Sequence, residues 1–523
     1  MTPPTEWRPR ANPWAIGASV SLATFMQVLD TTIVSVAMPH MAGSLSATPE
    51  EATWVLTSYL VANAIVLPAS GWLALRFGRK RLMLFSTTLF TVASFFCGIA
   101  PSMTLLILAR VVQGASGGAL QPLTQAILLE SFPPAKRGMA MAMFGVVIVA
   151  APVIGPTLGG WLTDSYSWRW VFNINIPVGI LAVLLINRFV EDPPYITNAR
   201  PGKIDGAGLA FLILWLGTLQ VVLDKGQQED WFSTAWITWF AVISVCSMLA
   251  FLLRERRAAE PIVNLSVFRD RNYTVGTLLT GLTGACMFSL ITMVPLFLQI
   301  VLGYSAQMSG LATTPRGVGS LVAMPLVGAL IGVMDSRWLV LAGTSLFAIS
   351  SYMFGGLNLD IAMDNIVFVN VLQGVGIAFT LVPLMTMTMA RLRNEQMGNA
   401  TGLYNLVRNL GGGIGISLAT TFLARGAQAH QAMMVSHLTP YDFAYQQRLA
   451  AIQAGLAPLT GAPQAQQQAY AAMQGVLLQQ ATLAAFLSNF RWIALGIAVC
   501  GPLVLLMRKA VPRRGPGAPP AEV

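Results

Sequence analysis

Two residues of opposite charge stand inside stretches that are otherwise apolar. Asp30 lies in Leu29-Asp30-Thr31-Thr32, and Arg110 opens Arg110-Val111-Val112-Gln113-Gly114. A charge held in hydrocarbon costs at least about 2.5 kcal/mol on insertion scales, so such residues are paired, face a water-filled cavity or do work. Both sit at comparable depth from the same end of their apolar runs, so they can meet. Three readings are open: a static ion pair, a carboxylate whose protonation breaks the link to Arg110 and releases a conformational constraint, or a contact to substrate.

Other chemistries find no support. Cys97, Cys246, Cys286 and Cys500 each fall in an apolar run without CxxC spacing, which predicts small buried hydrophobes, neither disulfide-bonded nor metal-binding. His40, His430 and His437 lie outside the apolar runs, which excludes a membrane-buried histidine relay. No Gly-x4-Gly-Lys-Ser/Thr sequence and no nucleophile–base constellation occurs, so neither ATP use nor an enzyme activity is expected, and no cofactor.

The elements that must position Asp30 and Arg110 are membrane helices. Hydrophobic residues make up 55% of the 523 and charged ones 10%, with a mean hydropathy of +0.64, against about 25% charged in an average soluble chain. The pattern predicts an all-α polytopic protein with fourteen spans: 14–39, 52–74, 82–100, 103–130, 139–163, 169–189, 206–223, 234–254, 273–302, 308–333, 338–357, 365–390, 397–424 and 484–507. Basic residues fall on alternate loops: Arg8 and Arg10; Arg76, Arg79, Lys80 and Arg81; Lys136 and Arg137; Arg254, Arg256, Arg257, Arg269 and Arg271; Arg391 and Arg393; Arg508, Lys509, Arg513 and Arg514. The positive-inside rule makes those loops, and both termini, cytoplasmic. This scatter also accounts for the net charge of +10 without a nucleic-acid partner. The short polar start, Met1 to Pro13, carries no expected removable signal peptide.

An internal repeat organises the spans. Asn370-Val371-Leu372-Gln373-Gly374 echoes Arg110 to Gly114, and Gly398 and Gly415 fall opposite Gly138 and Gly155. Two six-helix halves, 14–189 and 273–507, are expected to flank a cavity that opens alternately to each side, with 206–254 as two inserted helices. The stretch Leu223 to Phe232 between the inserted helices reads as interfacial aromatic anchoring.

Conformational chemistry has its own signals. Gly155, Pro156, Gly159 and Gly160, behind Ala151-Pro152, close the fifth span: the prolines bend the helix and the glycines admit another backbone. Gly71 to Lys80, with Gly78 and Arg79, forms a short basic turn that is either topology alone or a gate between the halves.

Together these residues resemble the major facilitator superfamily and, within it, the fourteen-span drug:proton antiporters of the EmrB/QacA type. Gly71 to Lys80 is similar to the family's first cytoplasmic motif, Arg110 with Gln113-Gly114 to its proton-transfer motif in span 4, and Ala151 to Gly160 to its antiporter motif in span 5. Leu29 to Thr32 and Trp168 to Pro177 resemble the fourteen-spanners' own signatures. One departure stands out: Leu75 replaces the usual aspartate of the first motif. The resemblance implies proton-driven multidrug efflux across the bacterial inner membrane, a metabolite or siderophore symporter being the alternative. The Ala- and Gln-rich segment 425–483 resembles the EmrB branch, the inner-membrane subunit of a tripartite pump, and implies a periplasmic adaptor and an outer-membrane channel as partners; by composition it is a helical hairpin or partly disordered.

Cationic residues outnumber acidic ones within the spans: Arg110, Arg316 and Arg408 against Asp30 and Glu130. Such a cavity favours neutral or weakly acidic lipophiles, with Arg316 and Arg408 alternatively placed at an interface or paired across helices. Met287, Phe288, Phe297 and Gln373, with Met293, Met385, Met387 and Met389, are candidates for its lining, ordinary helix packing being the competing role.

Overall fold

The helices begin where the sequence can satisfy the open N–H groups of a first turn. In the computed structural model, which describes residues 9–133, 136–197, 205–258, 261–331, 333–436, 438–439, 441–460 and 462–509, Asn12 caps α1 (Pro13–Ser44) by accepting from Trp14 N at 2.9 Å. Thr48 and Glu51 form a capping box for α2 (Pro49–Phe77). Helices α3 (Arg79–Ile99), α4 (Met103–Gly117), α5 (Leu120–Ser131), α6 (Arg137–Ser165), α7 (Trp170–Asn173), α8 (Asn175–Phe189) and α9 (Pro194–Thr197) follow. Asp205 caps α10 (Gly206–Lys225) and is gripped by Arg254 of α11 (Ala235–Arg257) at 2.9 and 3.2 Å, which holds its carboxyl below the ordinary range. Then come α12 (Arg271–Ile300), α13 (Ala306–Leu330), α14 (Ser336–Phe354), α15 (Met363–Met389), α16 (Met397–Val435), α17 (Phe443–Thr460) and α18 (Ala462–Leu503).

Eleven of the described helical segments are long and apolar enough to cross a membrane. The expected spans at 308–333, 338–357 and 397–424 are also helices, α13, α14 and α16. The outside of the bundle is studded with exposed apolar side chains such as Phe85, Phe96, Leu184, Val322 and Trp492, as a lipid-facing surface requires. Cys246 is exposed, on a helix face that lipid covers, and Cys286 is half-buried against Gly496 of α18, so only Cys97 and Cys500 match the expected burial.

Helices α1 to α8 pack on one another, as do α12 to α18, and the two groups meet along α2 against α16, α6 against α13 and α5 against α16. The basic loops gather at one end, joined by hydrogen bonds from Arg10 N to Glu191, Lys80 N to Asp192 and Asn272 to the Arg508 carbonyl. At this basic end the groups touch through bare backbone. A Cβ on Gly71 would lie 2.6 Å from Asn399 N, and one on Gly402 would lie 2.8 Å from the Leu67 carbonyl. Asn399 also exchanges two hydrogen bonds with the Asn264 backbone, at 3.0 and 2.8 Å, tying down the stretch between α11 and α12.

The described residues of segment 425–483 are mostly helical: α16 runs on to Val435, and α17 packs against α18. Its alanine and glutamine content supports the hairpin and not disorder. His430 lies in α16, whereas Arg8, His437, Arg513 and Arg514 lie outside the described residues. The stretch Leu223 to Phe232 does more than anchor aromatics. Asp224 accepts from Thr57, Lys225 Nζ donates to Thr53 at 2.6 Å, and Trp231 Nε1 donates to Thr421 at 3.2 Å, so this turn bridges α2 and α16 at the end opposite the basic loops.

Gly71→Val is expected to lower the thermal unfolding midpoint in detergent, since overpacking a closed contact costs about 1–3 kcal/mol. An unchanged midpoint would mean that the α2–α16 contact relaxes freely.

Candidate functional site

Asp30 is fully buried in α1, and three side chains from two other helices satisfy its carboxylate. Arg110 donates to Oδ2 at 2.5 Å, and Gln113 and Asn175 donate to Oδ1 at 3.0 and 2.8 Å. Arg110 and Gln113 sit one turn apart on α4, so the same face presents both, and Gln113 also accepts from Arg110 at 2.7 Å. Ser94 of α3 receives the second N–H of Gln113 and of Asn175, at 3.1 and 2.9 Å, and Cys97 closes the ring against Gln113 at 3.5 Å.

The guanidinium is held from two further sides. Its Nε donates to the Val55 carbonyl at 3.0 Å, and its carbon lies 4.2 Å from the centre of the Tyr59 ring. Nη2 has no hydrogen-bond partner, leaving the aromatic face as its neighbour, a contact that attracts a cation. Gly114 is what lets Tyr59 come so close: a Cβ there would run into the Tyr59 carbonyl oxygen. The pair is therefore a fully desolvated ion pair with a complete set of donors for the anion. Removing the charge of either partner strands the other in a medium that cannot solvate it.

Gly155 and Gly159 pack α6 on α1 immediately beyond Asp30. A Cβ on Gly155 would overlap Thr32 Oγ1, and one on Gly159 would meet the Ile33 carbonyl at 3.0 Å. Pro152 and Pro156 lie inside the same helix, while Gly160 has only Val36 within reach, at 4.0 Å. The glycine–proline motif thus places α6 against the turn of α1 that carries the carboxylate.

Residues 20–416 match the family model described as Major Facilitator Superfamily. The chain belongs to that superfamily. It is 40% identical over 426 residues to the multidrug export protein EmrB of Haemophilus influenzae, covering 81% of this chain and 83% of that one. The fatty acid resistance protein FarB of Neisseria gonorrhoeae is 38% identical over 424 residues, with 81% and 83% covered. Among solved structures, the proton:xylose symporter XylE superposes with a TM-score of 0.58 at 14% identity, over 92% of this chain and 94% of that one, which shows the shared fold. As a major facilitator of the EmrB-like branch, the chain is a multi-pass membrane transporter and not an enzyme.

The major facilitator motif at Gly71 to Lys80 is fastened mainly to its own group. Gly78 takes the left-handed φ of +85° that ends α2 and starts α3. Arg79 is buried and paired with Glu130 of α5, and Lys80 Nζ donates to the Asn187 carbonyl at 2.7 Å. With Leu75 in place of a carboxylate, contact with the second group passes instead through the backbone at Gly71 and Asn399.

Neither remaining arginine has a carboxylate partner among the described residues. Arg316 donates to Gln373 at 3.3 Å within the second group. Arg408 reaches across to the first group and donates to Gln121 of α5 at 2.6 Å, while its Nε has no partner although the residue is 5% exposed. Beside Arg408, Met287, Thr283, Thr380 and Tyr404 line a small cavity of about 20 Å³. Phe288 packs against Gly412. Phe297 does not line that cavity: it is fully buried in an aromatic cluster with Phe486 and Phe490, at 5.6 and 5.8 Å between ring centres. Met293, Met385, Met387 and Met389 are likewise packed in the core, because these helix faces meet neighbouring helices.

Sequence reasoning passed over Asn175, Ser94, Tyr59, Gln27 and Gln121 as site residues. Asn175 was signalled by its place in the Trp168 to Pro177 signature, and the others by amide or hydroxyl groups in apolar runs, where a buried polar group needs a partner.

Asn175→Leu removes one donor from Asp30 and one from Ser94. We expect a loss of about 1–3 kcal/mol in stability, read as a lowered unfolding midpoint; a midpoint equal to the parent's would show that the carboxylate does not need this bond.

Proposed function

We propose that the chain is a proton-driven exporter of lipophilic neutral or weakly acidic compounds across the bacterial inner membrane. The observation that carries this reading is the buried Asp30–Arg110 pair: a titratable carboxylate, desolvated, satisfied only when charged, and packed against the helix that meets the second group. Its protonation cancels the attraction that holds Arg110, and a fully desolvated pair cannot lose one charge without rearrangement. Similarity to proteins named for multidrug export and fatty acid resistance supports the direction and the substrate class. The arginines without carboxylate partners, Arg316 and Arg408, favour anionic or neutral over cationic cargo.

In this reading fourteen helices span the membrane, with both termini and the basic end cytoplasmic. Residues 14–189 and 273–507 form the two six-helix halves, and 206–254 the inserted pair. The gradient supplies about 2.3 kcal/mol per charge moved through 100 mV, so no nucleotide is needed. The helical projection at 425–483 docks a periplasmic adaptor, which passes cargo to an outer-membrane channel.

Inverted vesicles separate export from uptake. On energisation, an exporter accumulates drug inside them and releases protons; loss of drug from preloaded vesicles would identify an uptake carrier. Asp30→Asn, which keeps the size but cannot titrate, is expected to abolish drug-dependent proton movement without loss of protein. Arg110→Ala should be equally inactive, and Arg110→Lys at best partly active, because an ammonium lacks the guanidinium fork. Coupled transport retained by Asp30→Asn would remove Asp30 from the mechanism.

The ends of the projection are close, with a Cβ on Gly426 only 3.4 Å from Ala485 Cβ. Replacing it by a brief Gly/Ser link from Gly426 to Thr482 should therefore preserve drug:proton exchange in purified vesicles, yet lose resistance and adaptor copurification in cells. Loss of exchange by a folded variant would place the segment in the transport cycle, and survival of both resistance and copurification would refute docking.

A further inference from the structure

A file of side chains joins the buried ion pair to the second group of helices. Gly114 and Gly117 of α4 make room for Tyr59, whose ring lies under the Arg110 guanidinium and whose hydroxyl accepts from Gln27 Nε2 at 3.0 Å. Gln27 Oε1 accepts from Gln121 Nε2 at 2.9 Å, and Gln121 Oε1 accepts from Arg408 at 2.6 Å. Each amide thus spends its oxygen toward Arg408 and its N–H toward Tyr59, so all the bonds point one way from one buried cation to the other. Bonds aligned in this manner polarise one another, and a change at one end is felt along the row.

Two features give the row a task. The helix carrying Arg110 and Gln113 breaks at Gly118, so Gln121 starts a separate helix, α5, that packs on α16. Arg408 is nine-tenths buried, its Nη2 is committed to Gln121, and its Nε has no partner, beside a cavity lined by Thr283, Met287 and Tyr404. At about 20 Å³ the cavity holds no more than a water in this conformation, so the acceptor of a cargo anion reaches this open donor only as the space widens.

We propose that Gln27 and Gln121 are positioning residues that tie the charge state of Asp30 to the readiness of Arg408 to hold an anionic cargo. The inference rests on the reading of Asp30 as the proton site. With Asp30 charged, Arg110 is pinned over Tyr59, the row is intact, and Arg408 is held by Gln121 with Nε left without a partner. With Asp30 protonated, Arg110 loses its carboxylate, the ring contact slackens, and Arg408 loses its anchor and its grip on cargo. The sign is that of an exchanger: cargo binds when the proton is absent and leaves when it arrives. The charged and titratable groups facing Asp30 are Arg110 from α4, Tyr59 from α2 and Cys97 from α3; α8 brings the neutral Asn175, and no charged group of α5 to α8 contacts it among the described residues.

The test uses full-length protein in lipid nanodiscs and anilinonaphthalenesulfonate, a lipophilic anion whose charge is constant near neutrality, counting only the binding that Arg408→Met removes. In the parent the affinity should fall toward acid by up to about tenfold per pH unit for one proton exchanged, and in Asp30→Asn it should be flat. Gln121→Met, Gln27→Met and the milder Tyr59→Phe should each flatten the profile to within about threefold between about pH 6 and about pH 8, because each breaks the row while leaving Asp30 in place. Flattening by Gln121→Met alone would make Gln121 a local support of Arg408 and overturn the row. Parent-like profiles in all three, with Asp30→Asn flat, would overturn it while leaving Asp30 as the proton site. A sloped profile in Asp30→Asn would remove the proton site and the row with it, and absence of Arg408-dependent binding in the parent would overturn the anion site.

Discussion

A carboxylate with no exposure to solvent must be given a full set of donors or lose its charge, and much of the first group of helices is arranged to meet that demand. Arg110, Gln113 and Asn175 supply the donors to Asp30. Ser94 and Cys97 then satisfy what those donors leave open, and Gly114, Gly155 and Gly159 are small because α2 and α6 must come close around the pair. Packing here is subordinate to electrostatics: bulk is withheld wherever it would hold a neighbour away from the charges.

The second group repeats the pattern without the ion pair. Asn370 donates to the Ala312 carbonyl at 3.1 Å just as Arg110 donates to that of Val55, two helices back along the chain in each case. Gln373 stands where Gln113 does in the first group, but accepts from Arg316 and leaves its own N–H groups unpaired. The position opposite Asp30 falls in an apolar stretch around Leu290. One copy of the repeat has kept the ion pair and the other only its hydrogen-bonding frame, a division of labour between two similar scaffolds.

The sequence made the membrane class, the helix positions and the Asp30–Arg110 encounter legible, because charge in an apolar run is rare and helical depth is set by simple counting. The motif glycines were legible as close approaches but not as to whom they approach: Gly71 meets Asn399 and Gly155 meets Thr32 through contacts far apart in the chain. Phe297 shows the limit on the apolar side, since composition cannot tell a cavity wall from an aromatic core. Polar residues such as Gln27 and Gln121 escaped notice because an amide becomes informative only when its partners are known.

The turn after α10 touches α2 through Asp224 and Lys225 and α16 through Trp231. It acts as a staple across one of the two seams between the groups. Separation at that end is therefore lopsided: the seam between α2 and α16 is stitched by side chains of this turn, whereas α6 and α13 meet by close packing of small and apolar residues, Gly317 against Val153 and Gly145 against Met324 among them. Parting α2 from α16 must break those bonds, while parting α6 from α13 need only slide apolar surfaces past one another, so this turn gives an otherwise two-sided bundle a front and a back.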